Sequence, residues 1–251
     1  SLSKLGELIG VSKQSVHKHE KGDSIPQEKI IVKLAETLGV TVEKLFRSGD
    51  NKNQNLERLS FRDEFGMAAY VLSKVEENAV DYVKRYLKME ELVESPTKLD
   101  NPLKGQFISS EQEVEEAAQE LRDFWGLGKA PIANSMEFLE RKGVKVFETY
   151  SANGFDGFSG WFSGTPMMTI NTANDEITRR RFTCWHEAGH LLLTFPEGIS
   201  HEREEMLCDH FAGAMLLPKD VLKKEMSGDY IYMNRLIDLK EYFGISMKAI
   251  M

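Results

Sequence analysis

Cysteine is scarce in this sequence, and long apolar runs are absent. The two cysteines, Cys184 and Cys208, do not form a C-x-x-C pair, so we expect small buried thiols in a reducing compartment. No apolar stretch approaches the ~20 residues that a membrane-spanning helix needs. No signal peptide opens the chain, and these absences together predict a cytoplasmic protein that makes no membrane contact.

Internal repeats, low-complexity tracts and phosphate-binding loops are missing as well. Gly154, Gly157 and Gly160 lie among aromatic residues without phosphate-loop spacing, so they predict turns and strands. Residues 1–48 hold eight Lys and Arg against six Asp and Glu, a net charge of +2, whereas the whole chain carries −8. The chain is long enough for two domains, and a modestly basic segment precedes an acidic remainder.

The most informative motif is His186-Glu187-Ala188-Gly189-His190, an H-E-x-x-H pentad. Residues four apart lie on the same face of a helix, so His186 and His190 can share one metal ion while Glu187 stands beside it. Two imidazoles and a carboxylate suit a catalytic zinc with an open position for water. Glu187 is then the candidate general base.

Apolar residues at helical spacing surround this pentad and predict a buried helix. Either Asn174 or Asp175 is the expected N-cap. The alternative is that His186 and His190 are ordinary core or surface histidines with local hydrogen bonds, and the apolar periodicity counts against it. The apolar stripe consists of Ile177, Phe182, Trp185, Ala188, Leu191 and Leu192.

A catalytic zinc needs a third protein ligand, and the next helical segment, 202–217, offers Glu205 followed four residues later by Asp209. Glu205 is the candidate metal ligand. Asp209, one turn on, can accept a hydrogen bond from a ligand imidazole and so set its tautomer. The sequence does not indicate which histidine Asp209 contacts.

Several neighbours compete for roles at this site. Glu202 and Glu204 are rival third ligands, although acidic residues at a helix start also interact favourably with the helix dipole. His201 is a further candidate ligand or electrophile. Tyr230 and Tyr232 are suggested as oxyanion stabilisers by residue type alone, so no residue is assigned to that role.

Residues 181–190 (RFTCWHEAGH) and 205–218 (EMLCDHFAGAMLLP) resemble the ImmA/IrrE family of metallopeptidases. The family pattern is R-F-T-x-x-H-E-x-G-H followed by E-x-x-A-[ND]-x-F-A-x-x-L-L-x-P, and Cys208 stands where Ala is usual. The resemblance selects Glu205 as the third ligand and extends over about residues 109–251. It implies a zinc-dependent endopeptidase that cuts repressor proteins.

An extended substrate is expected to pair with the strand nearest the metal helix. The segments GFSGWF and MMTIN are both predicted strands. Within Pro166–Asn171, we name Thr169, Ile170 and Asn171 as candidates for this pairing. An ordinary buried strand is an equally good interpretation of the same residues.

A second motif opens the chain. Residues 5–22 predict a helix, a glycine-containing turn and a second helix capped by Ser12, which is a helix-turn-helix arrangement. With Glu20-Lys21-Gly22 and Leu38-Gly39-Val40, this segment resembles the Cro/XRE repressors. The family's domain begins with a helix ahead of Leu5 that we do not find here, so the resemblance suggests an incomplete domain.

In such domains the second helix enters the major groove of DNA. Its candidate contacts are Lys13, Gln14, Ser15, His17 and Lys18, with Gln14 suited to adenine and the lysines to phosphate. The alternative is a helix-turn-helix fold that serves dimerisation or protein recognition. The residues predicted to point inward are Leu5, Leu8, Ile9, Val16, Ile31, Leu34, Leu38 and Leu45.

The predicted fold class is α+β: a small all-α domain, a long connecting helix, and a zincin-like domain with a small sheet packed on helices. The connecting helix spans Met67–Val93, and its apolar face needs a partner, either the peptidase domain or the same helix in a homodimer. The predicted parts are a helix-turn-helix domain at 1–48, a linker and connecting helix at 49–108, a metallopeptidase domain at 109–222, and the start of a truncated helical segment at 223–251.

Two functional hypotheses follow. The first is a DNA-binding transcriptional regulator whose Zn²⁺-dependent endopeptidase domain cleaves a repressor or other regulatory protein. The second is an XRE-family transcription factor, or antitoxin-like regulator, whose peptidase-fold domain is a non-catalytic sensor or interaction module. The intact set of His186, His190, Glu205 and Glu187 favours the first. The scissile bond, the operator and the inducing signal cannot be predicted from the sequence.

Overall fold

The computed structural model describes residues 1–21, 23–40, 42, 45, 56–61, 69–150, 155–173, 176–227 and 232–250. For residues 56–61 and 69–76 the description covers the backbone alone. The chain divides into two compact units, Ser1–Asn53 and Gln54–Met251.

The first unit contains three helices, α1 (Leu2–Ile9), α2 (Lys13–Lys21) and α3 (Glu28–Leu38). The turn between α1 and α2 uses Gly10 in the left-handed region, at φ 79°, where a residue without Cβ is favoured. The backbone N–H of Ser15 donates to Ser12 Oγ at 3.1 Å, which confirms the predicted cap of the second helix.

The core of this unit is smaller than the sequence predicts. Ile9, Val16 and Ala35 are its buried apolar side chains among the residues described. The predicted burial of Leu8, Leu38 and Leu45 is wrong. The described helices pack on one another through Ile9, Val16 and Ala35, and these leucines lie outside that contact. Leu8, Leu38 and Leu45 are 60%, 43% and 37% exposed.

The second unit is organised around a four-stranded sheet with the order β1-β3-β4-β2. Its strands are β1 (Leu56–Phe61), β2 (Lys145–Thr149), β3 (Gly157–Phe162) and β4 (Thr165–Asn171). β3 is antiparallel to both β1 and β4, whereas β2 is parallel to β4. β3 and β4 are therefore interior strands, while β1 and β2 lie at the two edges of this sheet.

Helices account for most of the rest of this unit. The helix that begins at Glu111 has a complete capping box, because Ser110 Oγ accepts from the Glu113 N–H and Glu113 accepts from the Ser110 N–H. Among the described residues, no helix combines the length and apolar character needed to cross a membrane. The helices are α4 (Ala69–Leu92), α5 (Glu111–Phe124), α6 (Ser135–Arg141), α7 (Ile177–Leu192), α8 (His201–Leu216), α9 (Lys219–Glu225), α10 (Met233–Phe243) and α11 (Met247–Ile250).

The two faces of the sheet have different coverings. On one face, Ala79 and Val83 of α4 pack in a cluster with Phe158, Phe162 and Met167. The predicted connecting helix is thus present, and its apolar face packs on this sheet. On the other face the main core joins the sheet to α7 and α8, with contributions from α5 and α6.

The strand β1 was not predicted from the sequence, which places residues 49–108 in a linker and a helix. Its partner β3 lies about a hundred residues further along the chain, at Phe158–Phe162. Local periodicity does not report a pairing over such a separation. The mixed α+β architecture itself is as predicted.

Candidate metal centre

The helix α7 carries the H-E-x-x-H pentad through the middle of the second unit. Trp185, Ala188, Leu191 and Leu192 of the predicted apolar stripe are buried, and the Trp185 indole donates a hydrogen bond to Ser135 Oγ at 3.0 Å. Ile177, at the start of the stripe, is 65% exposed, so its predicted burial is wrong. The predicted N-cap was Asn174 or Asp175, and the helix begins slightly later than either would place it. Glu176 is its N-cap, without a side-chain capping bond, and 174–175 lie outside the described residues.

The close approach of α7 and α8 depends on Gly189. A Cβ atom placed at Gly189 would lie 3.2 Å from the Cys208 sulfur and 3.3 Å from its Cα. Few Cβ contacts in proteins are that short, so a larger residue here would push the helices apart. The glycine of the pentad therefore allows Glu205 on α8 to reach the histidines on α7.

His186, His190 and Glu205 bring three ligand atoms together. The Nε2 atoms of the histidines are 3.2 Å apart, and they lie 3.3 Å and 3.1 Å from the two Glu205 oxygens. Zinc–ligand bonds of 2.0–2.1 Å at tetrahedral angles place ligand atoms about 3.3 Å apart. These residues therefore fit one tetrahedral zinc ion, and among the described residues they form the one such group.

The second ring nitrogens of the histidines are held by neighbouring residues of α8. His186 Nδ1 lies 2.7 Å from Asp209 Oδ1, and His190 Nδ1 lies 3.5 Å from the Cys208 sulfur. An ionised carboxylate only accepts hydrogen bonds, so Nδ1 of His186 carries the proton. In the neutral ring, Nε2 then presents a lone pair toward Glu205.

Electrostatics at the cluster favour a positive charge. Burial lowers the pKa of His186, but the carboxylates of Asp209 and Glu205 raise it more, to about 9. Burial raises the pKa of Glu205, but the two imidazoles hold it well below its usual range. A divalent cation between these atoms would satisfy the same demand that protonated histidine satisfies here.

Glu187 is buried next to the histidines, beneath β3. A Cβ atom at Gly157 would lie 3.4 Å from Glu187 Cγ and 2.8 Å from the Thr183 methyl, so the strand lies directly on this part of α7. Burial raises the pKa of Glu187, although the charges of the two histidines act against it. Its Oε2 has no hydrogen-bond partner among the described residues. An ionisable group held this way is suited to accept a proton.

Ser159 is a site residue that the sequence analysis missed. It is buried on β3, and its hydroxyl lowers the pKa of Glu187, against the effect of burial. Strand alternation in GFSGWF places Gly157, Ser159 and Trp161 on one face of the sheet. The alternation could have indicated that these three residues share a face, but it did not indicate that this face of the sheet packs on α7.

The rival ligands lie outside the three-atom group. His201 lies one turn before Glu205 on α8, and its side chain is 61% exposed. Its Nε2 is 4.0 Å from Glu205 Oε1. Glu202 and Glu204 lie in the first turn of α8 and are not members of the group. Tyr232 is exposed, and position 230 lies outside the described residues.

The prediction that Thr169, Ile170 and Asn171 bind a substrate strand is wrong. All three are buried in β4, which is paired with β3 on one side and with β2 on the other. Strand addition requires a free edge of main-chain N–H and C=O groups. The alternative interpretation, an ordinary buried strand, is the one that the structure supports.

A cleft of about 810 Å³ opens beside His190. One side is formed by Ser159–Trp161 of β3, and another by the end of α7 with the residues that follow it, His190–Thr194. The loop Pro96–Asn101 also lines the cleft. This space is large enough for part of a peptide substrate beside the ligand cluster.

In the first unit, the predicted DNA contacts lie on α2. Lys13, Gln14, His17 and Lys18 are exposed, while Val16 between them is buried and anchors the helix. Ser15 is partly buried, and its hydroxyl lies 2.9 Å from Ser12 Oγ at the helix cap. The contacts with DNA remain a prediction.

Comparison with known families divides the chain at similar places. Residues 139–251 match the M78 peptidase family, in a model described as the IrrE N-terminal-like domain. Residues 1–45 match a helix-turn-helix family model. These matches confirm the predicted fusion, although the peptidase match begins at residue 139 and not near 109. A search of curated proteins found no match to the chain.

Proposed function

We propose that this chain, which joins a helix-turn-helix domain to a domain of the M78 peptidase family, is a DNA-binding regulator with zinc-dependent endopeptidase activity. The proposed substrate is a repressor or another regulatory protein. The family match supports a peptidase fold. The activity rests on the residues gathered on α7 and α8.

The observation that carries this proposal is the juxtaposition of three ligand atoms with a buried carboxylate. His186, His190 and Glu205 would hold the metal, and Asp209 would keep His186 in the tautomer that presents Nε2. When bound, zinc supplies a Lewis acid that acidifies water and polarises a peptide carbonyl. An adjacent base is then needed to take the proton of the attacking water.

Glu187 is the residue placed to do this. Its Oε2 is buried without a hydrogen-bond partner among the described residues, so it can accept a proton without breaking an existing contact. Its raised pKa makes it a better proton acceptor than an exposed carboxylate. The same oxygen can afterwards return the proton to the departing amine. The Ser159 hydroxyl lowers the pKa of Glu187, against the larger effect of burial.

DNA binding is proposed for the exposed face of α2. Gln14 and Lys18 lie on that face, where a helix seated in the major groove presents its side chains to bases and phosphates. Replacing Gln14 and Lys18 by alanine should weaken binding to a specific duplex at least tenfold without changing zinc content. The affinity measured by fluorescence anisotropy tests this, and unchanged binding would remove α2 from the interface.

The experiment that tests the peptidase site is elemental analysis of the purified chain after reconstitution with zinc. We expect about one zinc per chain, and almost none in the His186→Ala/His190→Ala variant. A His17→Ala variant, altered on α2, is the matched control and should retain its zinc. Absence of metal from the wild-type protein would support the alternative of a regulator with a non-catalytic peptidase fold.

A further inference from the structure

The order of elements around α7 shows which edge of the sheet faces the ligand cluster. Successive residues of a helix are rotated by about 100°. Cys184 and Ala188 belong to the core that also contains Met168 and Ile170 of β4. The next side chains around the helix are those of Thr183 and Glu187. They lie under Gly157 of β3.

His186 and His190 come next in the same rotation, followed by Gly189 against Cys208 of α8. Because α7 contacts both β3 and β4, and its β3-facing direction is that of Thr183 and Glu187, the neighbours around α7 follow the order β4, β3, the ligand cluster and α8. It follows that the cluster lies on the side of β3 away from β4. An extended peptide bound beside the cluster would pair with that edge of β3.

This edge is already occupied by β1. Glu57 pairs with Trp161, and Ser60 pairs with Ser159, the residue next to Glu187. The pairing is antiparallel and shifts register between Glu57 and Ser60. Main-chain pairing depends little on side-chain identity, so a strand from the chain itself and a strand from a substrate compete for the same groups.

We propose that the segment Leu56–Phe61 is an internal occupant of the peptide-binding edge of β3. The site is closed to an extended substrate while β1 is paired, and it opens when β1 leaves. This inference rests on the proposed endopeptidase function. It concerns a segment that lies outside both family matches, 1–45 and 139–251.

β1 is the first described element of the second unit along the chain. It begins three residues after Asn53, the last residue of the first unit. A pull on the chain from the helix-turn-helix unit therefore acts on β1 before it acts on any other described element of the second unit. The register shift interrupts the ladder, which lowers the cost of separating the strands. Binding of the first unit to DNA or protein can thus be coupled to opening of the site.

The test uses the full-length, zinc-loaded protein with Ser60→Pro/Phe61→Pro, two consecutive residues in regular register with β3. Consecutive N–H groups of a strand point to opposite sides, so one of the two prolines removes a main-chain donor that faces β3. The matched control is Asn51→Pro/Asn53→Pro in the predicted linker. The first readout is hydrogen exchange of the peptic fragment covering Gly157–Phe162. We expect its edge amides to exchange at least tenfold faster in the β1 variant than in the wild type or the control.

The second readout is the affinity for a fluorescein-labelled peptide hydroxamate, a general probe of open zinc peptidase sites. If the edge is occupied at least nine-tenths of the time, the β1 variant binds about tenfold or more tightly. A peptide of sequence LERLSF, added to that variant, should restore the weaker binding. Hydrolysis of fluorescein-labelled casein should rise in parallel.

Two failures are distinguishable. Equal exchange at β3 and equal hydroxamate affinity in the wild type and the β1 variant would overturn the proposed occupant while leaving the peptidase intact. Absence of zinc and of hydroxamate binding in all three proteins would overturn the peptidase function and this inference with it.

Discussion

The two faces of the sheet both bury charged side chains, but they compensate those charges differently. On the face covered by α4, Glu90 is buried against Lys145, an ion pair of 2.7 Å. On the face covered by α7, Glu187 is buried beside the group of His186, His190 and Glu205, which could hold a metal ion. Glu90 is thus neutralised by a side chain of the protein, whereas the carboxylate and imidazoles of the ligand group can be neutralised by a bound metal ion.

The α4 face is complete in itself. Lys145 Nζ also donates to Thr97 Oγ1 at 2.7 Å and lies 4.7 Å from the centre of the Tyr86 ring. Burial raises the pKa of Glu90, but the hydrogen bonds from Lys145 and Thr97 lower it more, so the carboxylate stays ionised. This pair joins α4, β2 and the loop at the cleft, and it needs no additional ion.

The α7 face differs, because its buried charged groups include three atoms that could hold a metal ion. Three ligand atoms converge here, and in neutral His186 the hydrogen bond of Nδ1 with Asp209 leaves the Nε2 lone pair directed toward Glu205. Buried charge alone is thus weak support for function. Buried charge is stronger support where ligand atoms converge and a neighbouring carboxylate oxygen, Oε2 of Glu187, has no hydrogen-bond partner among the described residues.

The largest expected effect is that of Glu187→Gln on peptide cleavage. The substitution removes a proton acceptor of nearly the same shape, so cleavage should fall about 10²- to 10⁴-fold. Zinc content should stay near that of the wild type, because Glu187 is not in the ligand group. Casein hydrolysis and elemental analysis on the same preparations check this. Retained cleavage would exclude Glu187 as the general base.

The next largest effect concerns the ion pair on the other face. Lys145→Met leaves the buried Glu90 carboxylate without its cation and should cost about 3–5 kcal/mol in the free energy of unfolding. Glu90→Leu/Lys145→Met removes both charges and should cost much less. Urea unfolding monitored by circular dichroism gives both values. Equal losses in the single and double variants would mean that the charge is not the cause.

A smaller effect is expected at the second ring nitrogens of the histidines. Asp209→Asn should weaken zinc binding about tenfold, the low end for such contacts, because the Asp209 side chain is 43% exposed. Cys208→Ala should weaken it less, since sulfur at 3.5 Å is a weak acceptor for His190. Competition with a fluorescent chelator measures both affinities. A larger loss in the cysteine variant would reverse this ranking.

Much of the candidate site could be predicted because it depends on helical spacing. The pentad and the contact of Asp209 with an imidazole follow from residues four apart on α7 or α8. Glu205, in contrast, was selected over Glu202 and Glu204 by the family resemblance. The wrong predictions arose where neighbours are distant in sequence. Thr169–Asn171 reads equally as an edge or an interior strand, and only the pairing of β2 with β4 distinguishes the two. Leu8 lies beside Ile9, and its exposure depends on which helices cover it.

The sequence by itself predicted that His186 and His190 share one face of a helix, and that a helix-turn-helix segment opens the chain, because helix periodicity and capping are local properties. Only the tertiary structure decided that Asp209 contacts His186, that Lys145 neutralises Glu90, and that β1 takes the edge of β3 beside Glu187. These contacts join residues from 23 to about a hundred positions apart. Strand register and the rotation of packed helices select them, and neither is encoded in a local pattern.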